Sequence, residues 1–211
     1  PTFRSANGLW MDHDIDVVCN YITWKANIDL VHEFYNNLRK MLTSVQPNPA
    51  HELIANWQQR YGRDRVVVLT CNVDDLLERA GCTDVVHLHG YLSEMHCTAC
   101  SHRWSIMHDE WKHGHHSCPK CTSRRGVKPG VVFFNESAPL YAVLRYQMTH
   151  LTKDDTVVVI GTSGQVVNID AYLFDRDCAK VLVNLEEQVG INSDMYDHVH
   201  FGQAAMATGW L

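Results

Sequence analysis

The sequence predicts an α/β protein: a doubly wound parallel sheet carrying a small zinc-binding insert. Three observations point there. Short apolar runs rich in β-branched residues, at Val66–Leu69, Val85–Leu88, Thr156–Ile160 and Lys180–Val183, alternate with helical stretches, as strand–helix–strand units do around a buried parallel sheet. Two Cys-x-x-Cys pairs interrupt that alternation between Cys97 and Cys121. Polar residues follow directly on the apolar runs, at Thr70–Asp74, at His89 and at Gly161–Ser163. In open α/β sheets ligands bind outside the carboxyl ends of the strands, so those residues are the candidates for function.

Composition narrows the class. A chain of 211 residues has room for one large domain, or for one domain with an insert. Apolar residues make up 45%, ample for a core, and no apolar run approaches a membrane span. No leader pattern is visible at Pro1-Thr2-Phe3-Arg4. The formal charge of −6 argues against a nucleic-acid platform and suits a basic partner such as a lysine-bearing peptide. Of the eight cysteines, four sit in the two pairs and four are scattered. That distribution reads as a metal site plus free thiols in a reducing, cytoplasmic setting.

Taken in order, Ile28–Val45 is an expected helix, with Val31, Phe34, Leu38, Met41 and Leu42 on one apolar face. Pro47 and Pro49 break it, and a second helix starts with Pro49 in its first turn and ends near Gly62, burying Leu53, Ile54 and Trp57. The strand Val66–Leu69 hands over to Thr70-Cys71-Asn72-Val73-Asp74, and a short helix over 75–80 stops at Gly81. The strand Val85–Leu88 delivers His89 and Gly90. Further on, a strand ending in a polar turn is expected over Val127–Glu136, a helix over Leu140–Leu151 and a helix over Ile169–Cys178. Taken singly, Asn72 and Asp74 read as turn or capping residues.

Cys97, Cys100, Cys118 and Cys121 form two Cys-x-x-Cys pairs separated by a polar segment. Four thiolates fill a tetrahedral zinc sphere and leave no open position, so the metal is expected to be structural. His113, His115 and His116 lie just before the second pair and are read as exposed rather than as ligands. Two separate redox turns are the less economical reading of the same cysteines.

The run TCNVDDLLERAG followed by HLHG resembles the sirtuin signature TQN(I/V)DxLxxxAG and its HG pair. Other stretches extend the resemblance along the chain. Pro1-x-Phe3-Arg4 and Gly8-Leu9-Trp10 look like the end of a glycine-rich GAGxSxxSGIPxFR segment followed by G-L-W. Val127-Lys128-Pro129-Gly130-Val131-Val132-Phe133-Phe134-Asn135-Glu136 is similar to (L)RPxVVxFGE. Gly161-Thr162-Ser163, Asn184-Leu185-Glu186 and Gly202-Gln203-Ala204 match cofactor-contacting runs in the same order. Departures are Cys71 for Gln, Asn135 for Gly and Asn168 for Pro. Tyr35 matches the Tyr of a Tyr-x-x-Arg that accepts acidic acyl groups, but Leu38 stands where the Arg should be, and Arg39 follows it. An ordinary helix with Tyr35 in its core face remains open.

The resemblance implies a Rossmann-like NAD-binding domain from 1–90 and 128–211, and a zinc-binding small domain at 91–127. It implies an NAD-dependent protein lysine deacetylase or deacylase that yields nicotinamide, free lysine and O-acyl-ADP-ribose. His89 is then the general base for the ribose hydroxyl, with Asn72 and Asp74 orienting ribose, amide and water. Cofactor contacts fall to Phe3, Arg4, Cys71, Asn72, Val73, Asp74, Gly161, Thr162, Ser163, Asn184, Leu185, Glu186 and Ala204. The acyl-lysine peptide falls to Tyr35, Val132, Phe133, Phe134 and Asn135, by strand addition. The first strand and phosphate loop are missing, so the chain is expected to be part of a longer gene product, with a natural degenerate copy as the alternative. A zinc-stabilised binding module without turnover, and an NAD glycohydrolase or ADP-ribosyltransferase, stay open as alternatives.

Overall fold

The computed structural model describes residues 14–209. Phe3 and Arg4, with the whole Pro1–Trp10 run, lie outside the described residues. In chain order the elements are α1 (Ile15–Val18), α2 (Ile28–Leu42), α3 (Pro49–Tyr61), β1 (Leu69–Thr70), α4 (Leu76–Ala80), β2 (Val86–His87), β3 (Gly90–Cys97), β4 (Arg103–Ser105) and β5 (Val127–Val131). There follow α5 (Tyr141–Thr149), β6 (Thr156–Ile160), α6 (Ile169–Leu173), β7 (Ala179–Asn184) and β8 (His198–Phe201), with 3-10 turns at Ser193–Met195 and Ala204–Gly209.

Among the described residues the strands form three sheets: parallel β1–β2, antiparallel β4–β3–β5 and parallel β6–β7–β8. The alternating pattern is therefore mixed α/β with parallel ladders, as the sequence predicts, but the parallel strands fall into two sheets. Among the described residues, β1 pairs only with β2 and β6 only with β7. The strand expected at Val66–Leu69 is shortened because Val66 belongs to the preceding turn. Its N–H bonds Gly62 O at 3.0 Å, and its carbonyl accepts from Gln58 Nε2 at 3.0 Å.

The chain divides into two compact units. The first gathers the chain up to Gln46, Val68–Leu76 and Val85–Pro139. Its core joins α2 to β3 and β5 through Val31, Phe34, Tyr35, Leu38, Leu42, Leu92, Val131 and Phe133, with Val18, Cys19, Trp24 and Val73. A second cluster, Met95, Cys97, Trp111, Cys118 and Val127, underlies the cysteine pairs. The β3–β5 ladder runs through both clusters, and Tyr91 and Val127 lie on its two strands. On α2, Met41 is 49% exposed while His32 and Arg39 are buried. The helix stops at Leu42 because the next three N–H groups bond three residues back instead of four.

The second unit holds Pro47–Val67, Leu77–Asp84 and Leu140–Leu211. Here α3 is fixed by a capping box: Asn48 Oδ1 accepts from the N–H groups of Ala50 and His51, and His51 Nδ1 accepts from Asn48 N at 3.1 Å. Ala50, Ala55 and Gln58 are its buried residues, whereas the expected Leu53, Ile54 and Trp57 are half-buried. Strands β6, β7 and β8 run parallel and in register, Ile160 opposite Val183 and Asn184 opposite Phe201.

Candidate active site

In the first unit the ladder between β1 and β2 ends with Leu88 N–H on Thr70 O at 2.9 Å. Past that point two histidine rings take over from the backbone. His89 Nδ1 lies 3.1 Å from Cys71 O, and His87 Nδ1 lies 3.0 Å from Asn72 O. A carbonyl only accepts, so Nδ1 of His89 carries the proton and Nε2 is the basic nitrogen. Burial lowers the His89 pKa from its ordinary 6.5, against the opposing pull of the Cys71 carbonyl. The imidazole is thus held neutral, in one tautomer, at the end of a strand.

The preceding loop places the other predicted residues differently from one another. Cys71 and Asn72 are exposed, and Asn72 N–H bonds Thr70 Oγ1 at 3.0 Å. Val73 is buried in the core, and its carbonyl accepts from Leu92 N at 2.7 Å, so only its position in the chain relates it to a cofactor. Asp74 Oδ1 accepts from Leu76 N at 3.1 Å and caps α4. Asp75, which no motif marks, is 5% exposed and pairs with His108 Nε2 at 3.1 Å. That contact ties the loop to the segment after β4. Gly90 has φ +81°, and a Cβ there would sit 2.1 Å from Gly130 O. No other residue fits behind His89.

The expected substrate segment is bound to this loop directly. Val132 N–H donates to His89 O at 2.7 Å, and Phe134 N–H donates to Cys19 O at 2.8 Å. Phe134 O in turn accepts from Tyr21 N at 2.9 Å. Strand structure stops at Val131, and the expected polar turn follows, closed by Phe133 N–H on Glu136 Oε2 at 2.8 Å. Asn135 has φ +62°, a left-handed conformation that Asn tolerates better than most residues. Phe133 is 2% exposed, so the structure makes it a core residue, while Phe134 is open to solvent at 44%.

Tyr35 is also a core residue, 2% exposed, stacked on Phe133 at 5.7 Å and edge-on to Phe34 at 5.0 Å. Burial holds its hydroxyl pKa well above 10. Arg39 is fully buried and donates to Asp109 O at 3.2 Å, Leu92 O at 3.1 Å and Asn36 Oδ1 at 2.7 Å. Its guanidinium is committed to the fold.

In the second unit, Gly161–Ser163, Asn184–Glu186 and Gly202–Ala204 all follow the carboxyl ends of β6, β7 and β8. Asn184, 3% exposed, makes a two-way bond with Thr162: its Oδ1 accepts from Thr162 N and its Nδ2 donates to Thr162 O, each at 2.9 Å. Its side chain therefore shapes the Gly161–Ser163 turn, leaving the exposed Leu185 and Glu186 at the rim. Gly161 has φ +64° with open space around its Cβ direction. Ala204 opens the last 3-10 turn.

The four cysteine sulfurs of the first unit lie within 4.8 Å of one another. Cys97 and Cys121 sulfurs are 3.5 Å apart, and those of Cys100 and Cys118 3.7 Å, close to the roughly 3.8 Å edge of a tetrahedron with 2.3 Å zinc–sulfur bonds. The two knuckles match. Ser101 N–H returns to Cys97 O and Thr122 N–H to Cys118 O, and both residues are left-handed at φ 59°. The donor set fits zinc, and two of the three neighbouring histidines bond elsewhere: His113, half-buried rather than exposed, on Asp29 at 2.9 Å, and His116 accepting from Lys112 N at 3.0 Å.

The model of the Sir2 family matches residues 1–168. The chain belongs to the Sir2 family. An NAD-dependent protein deacylase of Helicobacter hepaticus is 37% identical over 98% of this chain and 87% of its own. A second NAD-dependent protein deacylase, from Campylobacter jejuni, is 40% identical over 92% and 79%. Among solved structures, a Sir2 homologue mutant in complex with ADP-ribose superposes with a TM-score of 0.84 at 31% identity, covering 99% of this chain and 82% of that one. A Sir2 homologue bound to NAD gives 0.82 at 30% identity, over 99% and 80%. The likeness extends across the whole chain, so both units and the cysteine cluster are parts of a Sir2 fold.

Proposed function

We propose that this Sir2-family chain is an NAD-dependent protein lysine deacylase, releasing nicotinamide, free lysine and O-acyl-ADP-ribose. The observation that carries the reading is the direct bond between His89 O and Val132 N–H, which joins a tautomer-fixed imidazole to the segment expected to take the acylated peptide. The names of the relatives, NAD-dependent protein deacylases, support the same activity.

In this reading His89 Nε2 accepts the proton of a ribose hydroxyl as that oxygen attacks the activated acyl group. Asn72 and Asp74, with Cys71 of the same loop and Val73 anchoring that loop in the core, orient the nicotinamide end, while Gly161, Thr162, Ser163, Leu185, Glu186 and Ala204 receive the nucleotide end. Asn184 acts through Thr162 rather than by contact. NAD supplies the electrophilic ribose carbon and the nicotinamide leaving group. Zinc on Cys97, Cys100, Cys118 and Cys121 supplies no chemistry; it holds segment 91–127, which we treat as a small module set into the domain formed by 1–90 and 128–211. Peptide contacts come from Val132, Phe134 and Asn135, with Tyr35 and Phe133 forming the floor beneath them.

Because Arg39 is spent on the fold and Leu38 is buried, the acyl group accepted is neutral, acetyl ahead of succinyl. None of the eight cysteines is in a disulfide, which suits a cytoplasmic location, and no described helix is long and apolar enough to cross a membrane. The test is turnover of matched acetyl- and succinyl-lysine peptides with NAD by the full-length gene product. Acetyl turnover with O-acetyl-ADP-ribose as product is the result expected. Nicotinamide release without free lysine would replace deacylation by glycohydrolysis.

A further inference from the structure

Lys128 is fully buried, its side chain 0% exposed, and none of the roles above uses it. A lone ammonium taken out of water costs several kcal/mol unless its donors are met. Here they are met by one short stretch of chain. Lys128 Nζ donates to Pro129 O at 3.1 Å and Val131 O at 2.6 Å, and pairs with Glu136 Oε2 at 3.0 Å. The same ammonium stands 4.2 Å from the centre of the Phe133 ring. Glu136, its side chain 11% exposed, uses Oε2 a second time to accept from Phe133 N–H at 2.8 Å.

All of these partners lie between Pro129 and Glu136, and they fold 132–136 back on the end of β5. The segment so closed is fixed at its other points by His89 O on Val132 N–H and by Cys19 and Tyr21 on Phe134. The ion pair is therefore the only charged fastening among these contacts. Arg103 does not compete for Glu136, since its guanidinium turns to Gly130 O at 3.2 Å and Glu94 at 3.7 Å.

We infer that the Lys128–Glu136 pair is a positioning clamp that sets the backbone of Val132–Asn135 for an acyl-lysine peptide. Neither residue touches the reacting atoms. This rests on the reading of that segment as the peptide site. The clamp predicts selectivity in its effects: loosening it costs peptide affinity and leaves NAD affinity alone. The NAD-receiving turns after β6, β7 and β8 contain none of its partners.

The test is calorimetric binding of an acetyl-lysine peptide, of its unmodified counterpart and of NAD to the full-length gene product and its variants. Wild type is expected to bind the acetylated peptide in preference to the unmodified one. Lys128→Met is expected to weaken acetyl-peptide binding by about tenfold or more, the loss of one buried charge-assisted contact, with NAD binding within about twofold. Lys128→Arg keeps a permanent charge and enough donors, and restores peptide binding to within about threefold of wild type. Should Lys128→Met fail to fold, Glu136→Gln, which keeps the shape and one acceptor, decides by the same criterion. A folded Lys128→Met or Glu136→Gln with unchanged peptide affinity overturns the clamp. So does a parallel loss for peptide and NAD. A wild-type protein that does not distinguish acetylated from unmodified peptide overturns the peptide site itself, and the clamp with it.

Discussion

His89 shows how a single carbonyl sets the chemistry of a side chain. With Nδ1 donating to Cys71 O, the ring presents Nε2 as a base, and burial lowers its pKa below 6.5. The neutral form therefore persists to lower pH than for an ordinary histidine. Activity is expected to be flat through neutrality and to fall on an acid limb whose midpoint lies below 6.5; a limb above 6.5 in the pH profile of turnover would contradict this. The same shift has a consequence for stability. A histidine with a depressed folded pKa binds fewer protons when folded, so this group's contribution is lost as pH falls from 6.5 through the folded value.

Arg39 makes the complementary point. Its three bonds to Asp109 O, Leu92 O and Asn36 Oδ1 are lost if it is removed, and the buried Leu92 O is left without that donor. Arg39→Leu is expected to destabilise the fold by about 2–4 kcal/mol in denaturant unfolding, with the ratio of acetyl to succinyl turnover unchanged. A changed ratio would return Arg39 to the acyl pocket. The four-cysteine cluster was legible because its two pairs are local in sequence, and so was the placement of His89 just after β2. Arg39, Lys128 and the Asp75–His108 pair were not, because their partners come from distant segments or from backbone carbonyls that no side-chain pattern encodes.

At the scale of elements, β3 and β5 serve the core of the first unit at one end and the cysteine cluster at the other. Stripping the metal is expected to loosen the cysteine end of this hairpin first. Hydrogen exchange after chelation is then predicted to rise over 97–126 well before it rises in the parallel β6–β7–β8 ladder; uniform exchange in both would show that the metal holds the whole fold. Gly90 is the hairpin's weak point in the other direction. Gly90→Ala places a methyl 2.1 Å from Gly130 O in a left-handed backbone, and a loss of about 3 kcal/mol or more is expected in thermal or denaturant unfolding. A near-neutral result would mean that the two backbones can part.

Element types were largely readable in advance. Strand β6 falls on the predicted Thr156–Ile160, and β7 extends the predicted Lys180–Val183 by one residue at each end, because β-branched runs between turn residues admit few alternatives. Strand β8, His198–Phe201, was missed: its alternating histidines give no apolar run, and it exists because β7 offers an edge. The end of α2 and the start of β1 shifted where turn hydrogen bonds captured residues that propensity assigned to the regular element.

For the whole molecule, the sequence suggests one doubly wound sheet, and the described residues show two parallel ladders in two compact units. The family assignment is independent of that division, since the likeness to Sir2 structures covers 99% of the chain. In the proposed reaction NAD and an acylated lysine meet at His89. The measurement that tests this most directly is turnover of an acetyl-lysine peptide with NAD by the full-length gene product, wild type against His89→Ala, with nicotinamide, free lysine and O-acetyl-ADP-ribose quantified together. Equal amounts of the three products are expected from wild type, with a loss of about a hundredfold or more in the variant, the usual contribution of a general base. Equal turnover by wild type and His89→Ala, or no acetyl transfer by either, would contradict it.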